Sequence, residues 1–287
     1  MPASTALHTA RATLQQDYEA VKRAAGRGYG AADARNSIRQ ICRSTLQFLA
    51  ADAERVQLNS RVPGKSYFSY RTDRDIARPA NSALFIPDLA RFDSYWSSWE
   101  SRSLSAQQLG QLLYTAALAP CLGMELFDKQ NKKGPATFFE CFVGNLVSTQ
   151  LGREPTRTSS FRIANSNIRL TMDFLFAPQD GQPGVHLPVK MSTRERVVQA
   201  WSHQRMLDAF YGARQYQGLM VLFSETKLDS RNLEVVEICV PDQWLAYQTL
   251  LARMDDIYYF DIPTRYQQLA NEHANLLRIE QIENFIR

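Results

Sequence analysis

The first 56 residues place apolar side chains at three- and four-residue steps, the spacing that puts them on one face of a helix. A glycine-rich break at 26–30 divides this pattern, so we expect a pair of helices between Ser4 and Val56. The apolar positions are Leu14, Tyr18, Val21, Ile38, Ile41, Leu46 and Leu49. Residues 57–82 instead mix Arg and Lys with aromatic residues, Pro and Gly. This mixture predicts an ordered loop, which either meets a sugar-phosphate backbone or lies on the surface, anchored by its aromatic residues.

After Gly152 the hydrophobic spacing changes from helical to alternating, which indicates strands. A turn-rich tract at 177–184 separates two of these strands, so we expect the two to form an antiparallel hairpin. The predicted helices are 105–118, 135–151 and 193–214, and the predicted strands are 160–163, 168–176, 185–191, 219–224 and 234–240. Together they predict an α/β fold with a central mixed sheet flanked by helices.

Composition and charge narrow the class of protein only a little. The 287 residues are 45% hydrophobic and 22% charged, as in ordinary globular proteins, and the formal net charge of +4 permits nucleic-acid contact without requiring it. The four cysteines lack CxxC spacing, which favours reduced core thiols over a zinc site. The sequence contains neither an apolar run of the ~20 residues that cross a bilayer nor a Walker motif. We expect a cytoplasmic protein without a membrane partner or a nucleotide cofactor.

Two of the predicted strands carry charged residues on the face opposite to their apolar residues. In strand 168–176 the alternation places Arg169 and Asp173 together on one face. In strand 185–191 it does the same for His186 and Lys190. If the strands pair, Asp173 and Lys190 meet on the shared face. Such a cross-strand ion pair is either structural or part of a catalytic site.

Glu140, in the predicted helix before these strands, favours the catalytic interpretation. It shares a helical face with Val143 and Val147, an apolar stripe that we expect to point into the core, where a carboxylate needs a partner. Asp173 and Glu140 would hold Mg²⁺ against a scissile phosphate and so lower the pKa of a bound water, while Lys190 would orient this water and stabilise the developing charge. Alternatively, Glu140 turns to the helix surface or forms a salt bridge with Lys190.

Four short motifs follow one another between residues 136 and 240. They are Phe138-Phe139-Glu140, Thr171-Met172-Asp173-Phe174, Pro188-Val189-Lys190 and Ser192-Thr193-Arg194-Glu195-Arg196. Their order and spacing resemble those of the PD-(D/E)XK restriction endonucleases, and more narrowly the branch that reads sites containing CCGG or CC(N)GG. The resemblance implies catalytic roles for Glu140, Asp173 and Lys190, a metal site formed by Asp173, Glu140 and Val189, and reading of the GG/CC dinucleotide by Arg194, Glu195 and Arg196.

The chain departs from the pattern of this branch at the metal site. Pro188 stands two residues before the lysine, where the superfamily usually has an acid. The branch that lacks this acid uses a glutamate 13 or 14 residues after the lysine, and these positions are His203 and Gln204 here. Gln204 shares a helical face with Trp201, so we expect it to point inward and to act as a fourth catalytic residue, binding the metal or a metal-bound water through its amide oxygen. The metal site would then carry less negative charge than is usual.

The triplet of Arg194, Glu195 and Arg196 opens the helix that we predict after the catalytic strand, so the N-terminus of this helix would face the DNA major groove. Arginine bonds bidentately to guanine, and glutamate accepts from cytosine N4, so the triplet could read G·C pairs. For Glu195 the alternative is a capping box, in which Ser192 caps the helix and Glu195 reaches back to its backbone.

Together, these expectations predict the domains, the partner, the assembly and the function of the protein. Residues 1–130 form a helical N-terminal subdomain that clasps DNA or dimerises, and residues 131–287 form the nuclease core with C-terminal helices. The partner is double-stranded DNA, and two-fold symmetry matched to a palindromic site predicts a homodimer, with a tetramer as the other option. The function is that of a type II restriction enzyme, a Mg²⁺-dependent deoxyribonuclease that cuts a short palindrome containing GG/CC. The alternatives are a catalytically silent DNA-binding protein on the same fold and a structure-specific repair nuclease.

Overall fold

The computed structural model describes residues 2–73, 75–163, 165–193 and 197–286. The helices in these ranges are α1 Pro2–Arg27, α2 Ala32–Asp52, α3 Leu89–Glu100, α4 Ala106–Phe127, α5 Lys133–Leu151, α6 Val198–Tyr211, α7 Pro241–Ala246, α8 Thr264–Glu272 and α9 Glu283–Ile286. A π-helical turn, Tyr247–Leu251, continues α7. The N-terminal helix pair is confirmed, whereas α3 was not expected from the sequence. No helix in the described ranges combines the length and the apolar character that a membrane span needs.

The strands form two sheets. They are β1 Glu54–Ser60, β2 Tyr67–Arg71, β3 Ala80–Asn81, β4 Thr156–Ile163, β5 Ser166–Phe176, β6 Gly184–Leu187, β7 Val189–Lys190, β8 Tyr216–Leu222, β9 Thr226–Asp229, β10 Glu234–Glu237, β11 Asp256–Tyr259 and β12 Ile279–Gln281. The larger sheet has the order β12-β11-β8-β6-β5-β4, with β7 also paired to β8. Strands β6, β7, β11 and β12 join this sheet in parallel, and β4 and β5 join it antiparallel. The predicted central mixed sheet and the β5–β6 hairpin are therefore confirmed.

Strand β8 explains why the central sheet is covered on both faces. Residues Leu219 to Leu222 of this strand are apolar in succession, and neighbours along a strand point to opposite faces. Val221 belongs to the core cluster formed with α1, α2, α4, α5 and α9, whereas Met220 and Leu222 belong to the cluster formed with α6, α7 and α8. Trp201 of α6 packs in the second cluster. The sheet therefore lies between two helical layers.

The second sheet corrects the prediction of a loop at 57–82. Strands β1, β2 and β3 form an antiparallel meander there, and β1 also pairs in parallel with β10, so the sheet has the order β3-β2-β1-β10-β9. Local composition could not reveal this pairing, because β1 and β10 meet only through tertiary contact. The proposed boundary at residue 130 stays a prediction. The second sheet and the first core cluster both contain residues from either side of it.

One glycine sets the distance between α5 and the central sheet. A Cβ atom on Gly144 would lie 2.5 Å from a ring carbon of Tyr29 and 3.0 Å from the ring of Phe174 in β5. Only a residue without a side chain therefore lets α5 come this close to β5. Because Glu140 lies one helical turn before Gly144, this contact also brings Glu140 towards Asp173 of the same strand.

Candidate active site

The centre of the site is the point where β6 gives way to β7. Pro188 separates these two strands, so the predicted single strand at 185–191 is two short ones. The ladder between β5 and β6 ends at the pair Phe174 and Leu187, which frees the next N–H, that of Val189, from strand pairing. This N–H donates to Asp173 Oδ2 at 2.9 Å, and Lys190 Nζ donates to the same oxygen at 2.6 Å. Asp173 and Lys190 thus meet across the shared face, as the strand alternation predicts.

Glu140 reaches the same region from α5, and its partner differs from the one that we considered. It neither lies free on the helix surface nor pairs with Lys190, because its Oε2 accepts a hydrogen bond from Arg157 Nη2 at 2.7 Å. Arg157 stands at the register shift between Thr156 and Thr158 in β4, and its guanidinium also lies over the ring of Phe174. Burial and the negative charge of Asp173 raise the pKa of Glu140 in spite of Arg157. The two carboxylates are therefore close enough to repel each other.

A cleft of about 240 Å³ opens above these residues. Its lining residues are Arg157, Thr171, Met172, Asp173, His186, Pro188, Lys190, Gln199, Ala200 and His203. Strand β5 contributes the carboxylate, β7 the lysine and α6 the opposite wall. Two positive groups, Arg157 and Lys190, and two histidines thus surround one carboxylate, an arrangement that suits an anionic ligand such as a phosphate.

His186 is a cleft residue to which sequence reasoning assigned no role. Its side chain is 1% exposed, and its Nδ1 lies 3.0 Å from Gln204 Oε1. The Nε2 of Gln204 donates to Asp208 Oδ1 and to the carbonyl of Tyr216, so the amide must present its oxygen to His186. His186 Nδ1 is therefore the protonated nitrogen, because Oε1 can only accept. Burial lowers the pKa of His186 to about 4, so the ring is neutral at pH 7.

The other ring nitrogen of His186 consequently carries a lone pair. This atom, Nε2, is buried and has no hydrogen-bond partner among the described residues. The ring of His203 lies 6.1 Å away between centroids and lines the same cleft. The cleft therefore offers one fixed imidazole acceptor beside Asp173 and Lys190. The only signal in the sequence was the strand alternation, which placed His186 and Lys190 on the same face.

Gln204 points inward, as the helical spacing predicts, and is 2% exposed. Its amide oxygen is bonded to His186, and its side chain lines a separate cavity of about 510 Å³ rather than the cleft. With this bond in place, only the second lone pair of the oxygen would be left for a metal. The catalytic role of Gln204 stays a prediction, and His203, the neighbouring position, is the one that reaches the cleft.

The donor atoms of the site suit a hard divalent cation. Asp173 and Glu140 supply carboxylate oxygens, the ligands that Mg²⁺ prefers. In an extended strand the N–H and C=O of one residue point to the same side, so the carbonyl of Val189 faces the side on which its N–H meets Asp173. A cation between the carboxylates would relieve the repulsion that contributes to the raised pKa of Glu140. Across the described ranges, no group of three or more His, Cys, Asp or Glu side chains could hold a metal. The acidic donor set is thus small.

The triplet of Arg194, Glu195 and Arg196 lies outside the described residues. The residues on either side of it correct one expectation: α6 begins at Val198 rather than near 193, and its N-cap, Val197, makes no side-chain capping bond. The capping box proposed for Ser192 and Glu195 includes a residue of the triplet and so also lies outside the described residues. Before the triplet, the N–H and the hydroxyl of Thr193 both donate to the buried carboxylate of Glu225, at 3.0 and 2.7 Å.

Comparisons with known proteins agree with this architecture at the level of fold. The sequence matches no protein-family model and no curated protein. The structure of the Type IIP restriction endonuclease Kpn2I is similar, with a TM-score of 0.79 and 22% sequence identity over 95% of this chain and 95% of that chain. The restriction endonuclease PspGI, solved with substrate DNA, has a TM-score of 0.44 and 12% identity over 69% of this chain and 89% of its own.

The similarity to Kpn2I extends over almost the full length of both chains. It confirms the predicted α/β restriction-endonuclease-like fold, with its central mixed sheet and flanking helices. The chain therefore has the fold of a type II restriction endonuclease. At 22% identity this likeness concerns the fold alone.

Proposed function

We propose that this protein is a type II restriction endonuclease that hydrolyses phosphodiester bonds of double-stranded DNA with Mg²⁺. The observation that carries the proposal is the Asp173–Lys190 pair at 2.6 Å, which lines a cleft with Arg157 and lies close to the carboxylate of Glu140. Two carboxylates and a lysine are what phosphodiester cleavage requires, because the reaction needs a cation site and a positive group near the attacked phosphorus. The fold, similar to that of Kpn2I, supports the same conclusion.

Each residue of the cleft would have a separate role in the reaction. Asp173, held by Val189 N–H and Lys190, would keep one carboxylate oxygen in place, and Glu140 would supply the second carboxylate. The carbonyl of Val189 would complete the protein ligands. When bound, Mg²⁺ would supply a Lewis acid that lowers the pKa of water. Lys190 Nζ would orient the attacking water and stabilise the charge on the phosphate oxygens, and Arg157 would add positive charge at the rim.

Recognition and assembly belong to the same proposal. Arg194 and Arg196 would bond to guanine in a GG/CC-containing palindrome, and Glu195 would accept from cytosine. A palindrome presents the same half-site twice, so a homodimer would place one cleft on each strand. The hydrogen bonds from Thr193 to Glu225 support this role, because they fix the residue just before the triplet to the buried segment between β8 and β9.

Plasmid DNA incubated with the purified protein and Mg²⁺ tests the proposal. Wild type should release discrete fragments whose sequenced ends share a GG/CC-containing palindrome, whereas Lys190→Ala should cut about 10³-fold more slowly. Lys227→Ala removes the same charge from an exposed position in β9 and should cut like wild type. Fragments with random or branched-site ends would instead indicate a nuclease that does not read sequence.

A second function is favoured by one specific observation. Among the described residues, the site has no acidic ligand besides Asp173 and Glu140, since Pro188 and Gln204 stand at the positions where an acid would be expected. A catalytically silent DNA-binding protein would have such a site. It would bind duplex DNA in the plasmid experiment without cutting it at any Mg²⁺ concentration, and this result would rule out the proposed hydrolysis.

A further inference from the structure

The two strands β4 and β5 extend beyond the cleft as an antiparallel ribbon. They pair residue by residue from Thr158 opposite Thr171 to Ile163 opposite Ser166. Directly opposed residues in such a pair point to the same face, and alternate residues along one strand also share a face. Each face of the ribbon can therefore be assigned residue by residue from the register.

One face of the ribbon begins at the cleft, where Thr171 is a lining residue together with Asp173. Moving outward from Asp173, this face consists of Thr171, Thr158, Arg169, Ser160, Asn167 and Arg162. All six residues are polar or basic and none is acidic, and all except the half-buried Thr158 are exposed. We call this set the polar ribbon face. It is a basic surface that begins at the rim of the cleft.

The opposite face of the ribbon holds it to the body of the protein. Phe161 packs edge-on against Phe210 of α6, with 4.9 Å between the ring centroids, and Ser159 Oγ lies 3.0 Å from the hydroxyl of Tyr211. Leu170 packs against the same small cluster. Because α6 supports the ribbon from this side, the polar ribbon face is turned to the side that α6 does not cover.

The two arginines on the polar ribbon face differ from Arg157 at its base. Arg157 is bonded to Glu140, whereas Arg162 and Arg169 form no hydrogen bond or ion pair with any described residue. An unpaired arginine next to further arginine and hydroxyl groups raises the local positive potential. Arg, Ser, Thr and Asn are also the side chains that most often contact DNA phosphates.

The length of the ribbon fits a duplex that leaves the cleft. From Asp173 to Asn167 the strand advances six residues, or about 20 Å at ~3.4 Å per residue. B-DNA advances ~3.4 Å per base pair, so the polar ribbon face runs alongside about six base pairs. We propose that this face binds the sugar-phosphate backbone of duplex DNA on one side of the scissile phosphate, outside the recognition site. The inference rests on the proposed function, since it takes the cleft as the place of cleavage.

Binding measured by fluorescence anisotropy, in Mg²⁺-free buffer over a range of salt concentrations, tests this proposal. The probes are duplexes that contain the site cut by wild type, with either two or ten flanking base pairs on each side. Arg162→Ala/Arg169→Ala should bind the long duplex at least about tenfold more weakly, and its slope of log K against log salt should be shallower by about 2. The advantage of long over short flanks should shrink in this variant.

Two further variants make the result specific. Arg231→Ala/Arg265→Ala removes two exposed arginines outside the ribbon and should keep the wild-type slope. Arg162→Lys/Arg169→Lys should restore the slope, because a phosphate needs only a positive charge, whereas bidentate reading of guanine would not be restored by lysine. Thermal unfolding of all variants should match wild type, since the substituted side chains are exposed.

The outcomes separate the two proposals. If wild type neither cuts nor binds duplex DNA, the proposed function fails and the ribbon proposal fails with it. If wild type cuts and the alanine variant keeps both the slope and the flank dependence, only the ribbon proposal is overturned. The same holds if the substitutions change the oligomeric state without changing the salt slope, because the ribbon would then contact a second copy of the chain.

Discussion

Two lysines in this protein each lie beside carboxylates, and their surroundings differ. Lys65 donates to Glu237 at 2.9 Å, to Asp261 at 2.8 Å and to the carbonyl of Ile262 at 2.6 Å. Lys190 donates to Asp173 at 2.6 Å, and this is its one hydrogen bond to a described residue. An ammonium group has three N–H donors. Lys65 therefore uses all of them within the protein, whereas Lys190 keeps two for the cleft.

The partners of the two lysines differ in the same way. The side chain of Asp261 is 4% exposed and also accepts hydrogen bonds from Tyr67 and Asn81, so it ties the second sheet to the end of β11. The side chain of Asp173 is 18% exposed and faces the cleft. Lys65 uses all its N–H donors within the protein, so its ion pairs hold the structure together. Lys190 has N–H donors left, so it can bind a ligand in the cleft. Distance alone, 2.6 or 2.8 Å, does not distinguish them.

The largest effect should come from Lys190→Met. We expect cleavage of the plasmid site to fall by about 10³-fold, because the charge that stabilises the transition state is lost. The free energy of unfolding should change by less than about 1 kcal/mol, since the pair is partly solvated. Single-turnover cleavage and urea unfolding of the same preparation measure the two effects. A large loss of stability with unchanged cleavage would reverse the roles that we assign to the two lysines.

The matched change at the other lysine, Lys65→Met, should act mainly on stability. Removal of Lys65 leaves Glu237 and Asp261 as buried, uncompensated charges, which costs about 3–5 kcal/mol of unfolding free energy. The cleavage rate per folded molecule should remain within a few-fold of wild type. Urea unfolding followed by circular dichroism measures the free energy of unfolding. Cleavage kinetics, divided by the fraction of folded molecules, give the rate per folded molecule. Stability equal to that of wild type would contradict a structural role for this cluster.

Two glutamate–arginine pairs extend the comparison to pH. Burial opposes the charged form of Glu125, but Arg78 outweighs it, so the pKa of Glu125 is lowered. A carboxyl with a lowered pKa stabilises the fold above its unfolded pKa, and this stability is lost as pH falls through the folded pKa. Glu125→Gln should therefore cost about 2 kcal/mol at pH 7. The difference in unfolding free energy between this variant and wild type should become smaller as the pH falls. Unfolding curves recorded between pH 7 and pH 3 measure this change.

Glu140→Gln should raise the stability at pH 7, whereas Glu125→Gln lowers it, and its effect should be the smallest of the four. The pKa of Glu140 is raised, by burial and by Asp173, so the fold favours the protonated form, and this stability is lost as pH rises through the folded pKa. The neutral glutamine should make the protein slightly more stable at pH 7, by less than about 1 kcal/mol. The gain should vanish at a pH where Glu140 is itself protonated. A variant less stable than wild type at pH 7 would show that the bond to Arg157 outweighs the repulsion.

Much of the cleft could be predicted because its residues lie in regular elements. The alternation in β5 and β7 placed Asp173 and Lys190 on one face, and the observed bond between them agrees with this placement. The helical spacing around Glu140 indicated that it would approach the core. Its partner, Arg157, was not predictable, because this arginine reaches Glu140 from a register shift in β4 that no local pattern marks.

The sequence by itself determined the central mixed sheet, the N-terminal helix pair, the β5–β6 hairpin and the common face of Asp173 and Lys190, because these follow from hydrophobic periodicity and turn residues over a few positions. Only the tertiary structure decided that residues 57–82 form strands, that β1 pairs with β10, that His186 presents a lone pair to the cleft, and that Lys65 is saturated while Lys190 is not. Each of these depends on residues far apart in the chain. These contacts form only when the core packs, so the local spacing of residue types does not predict them.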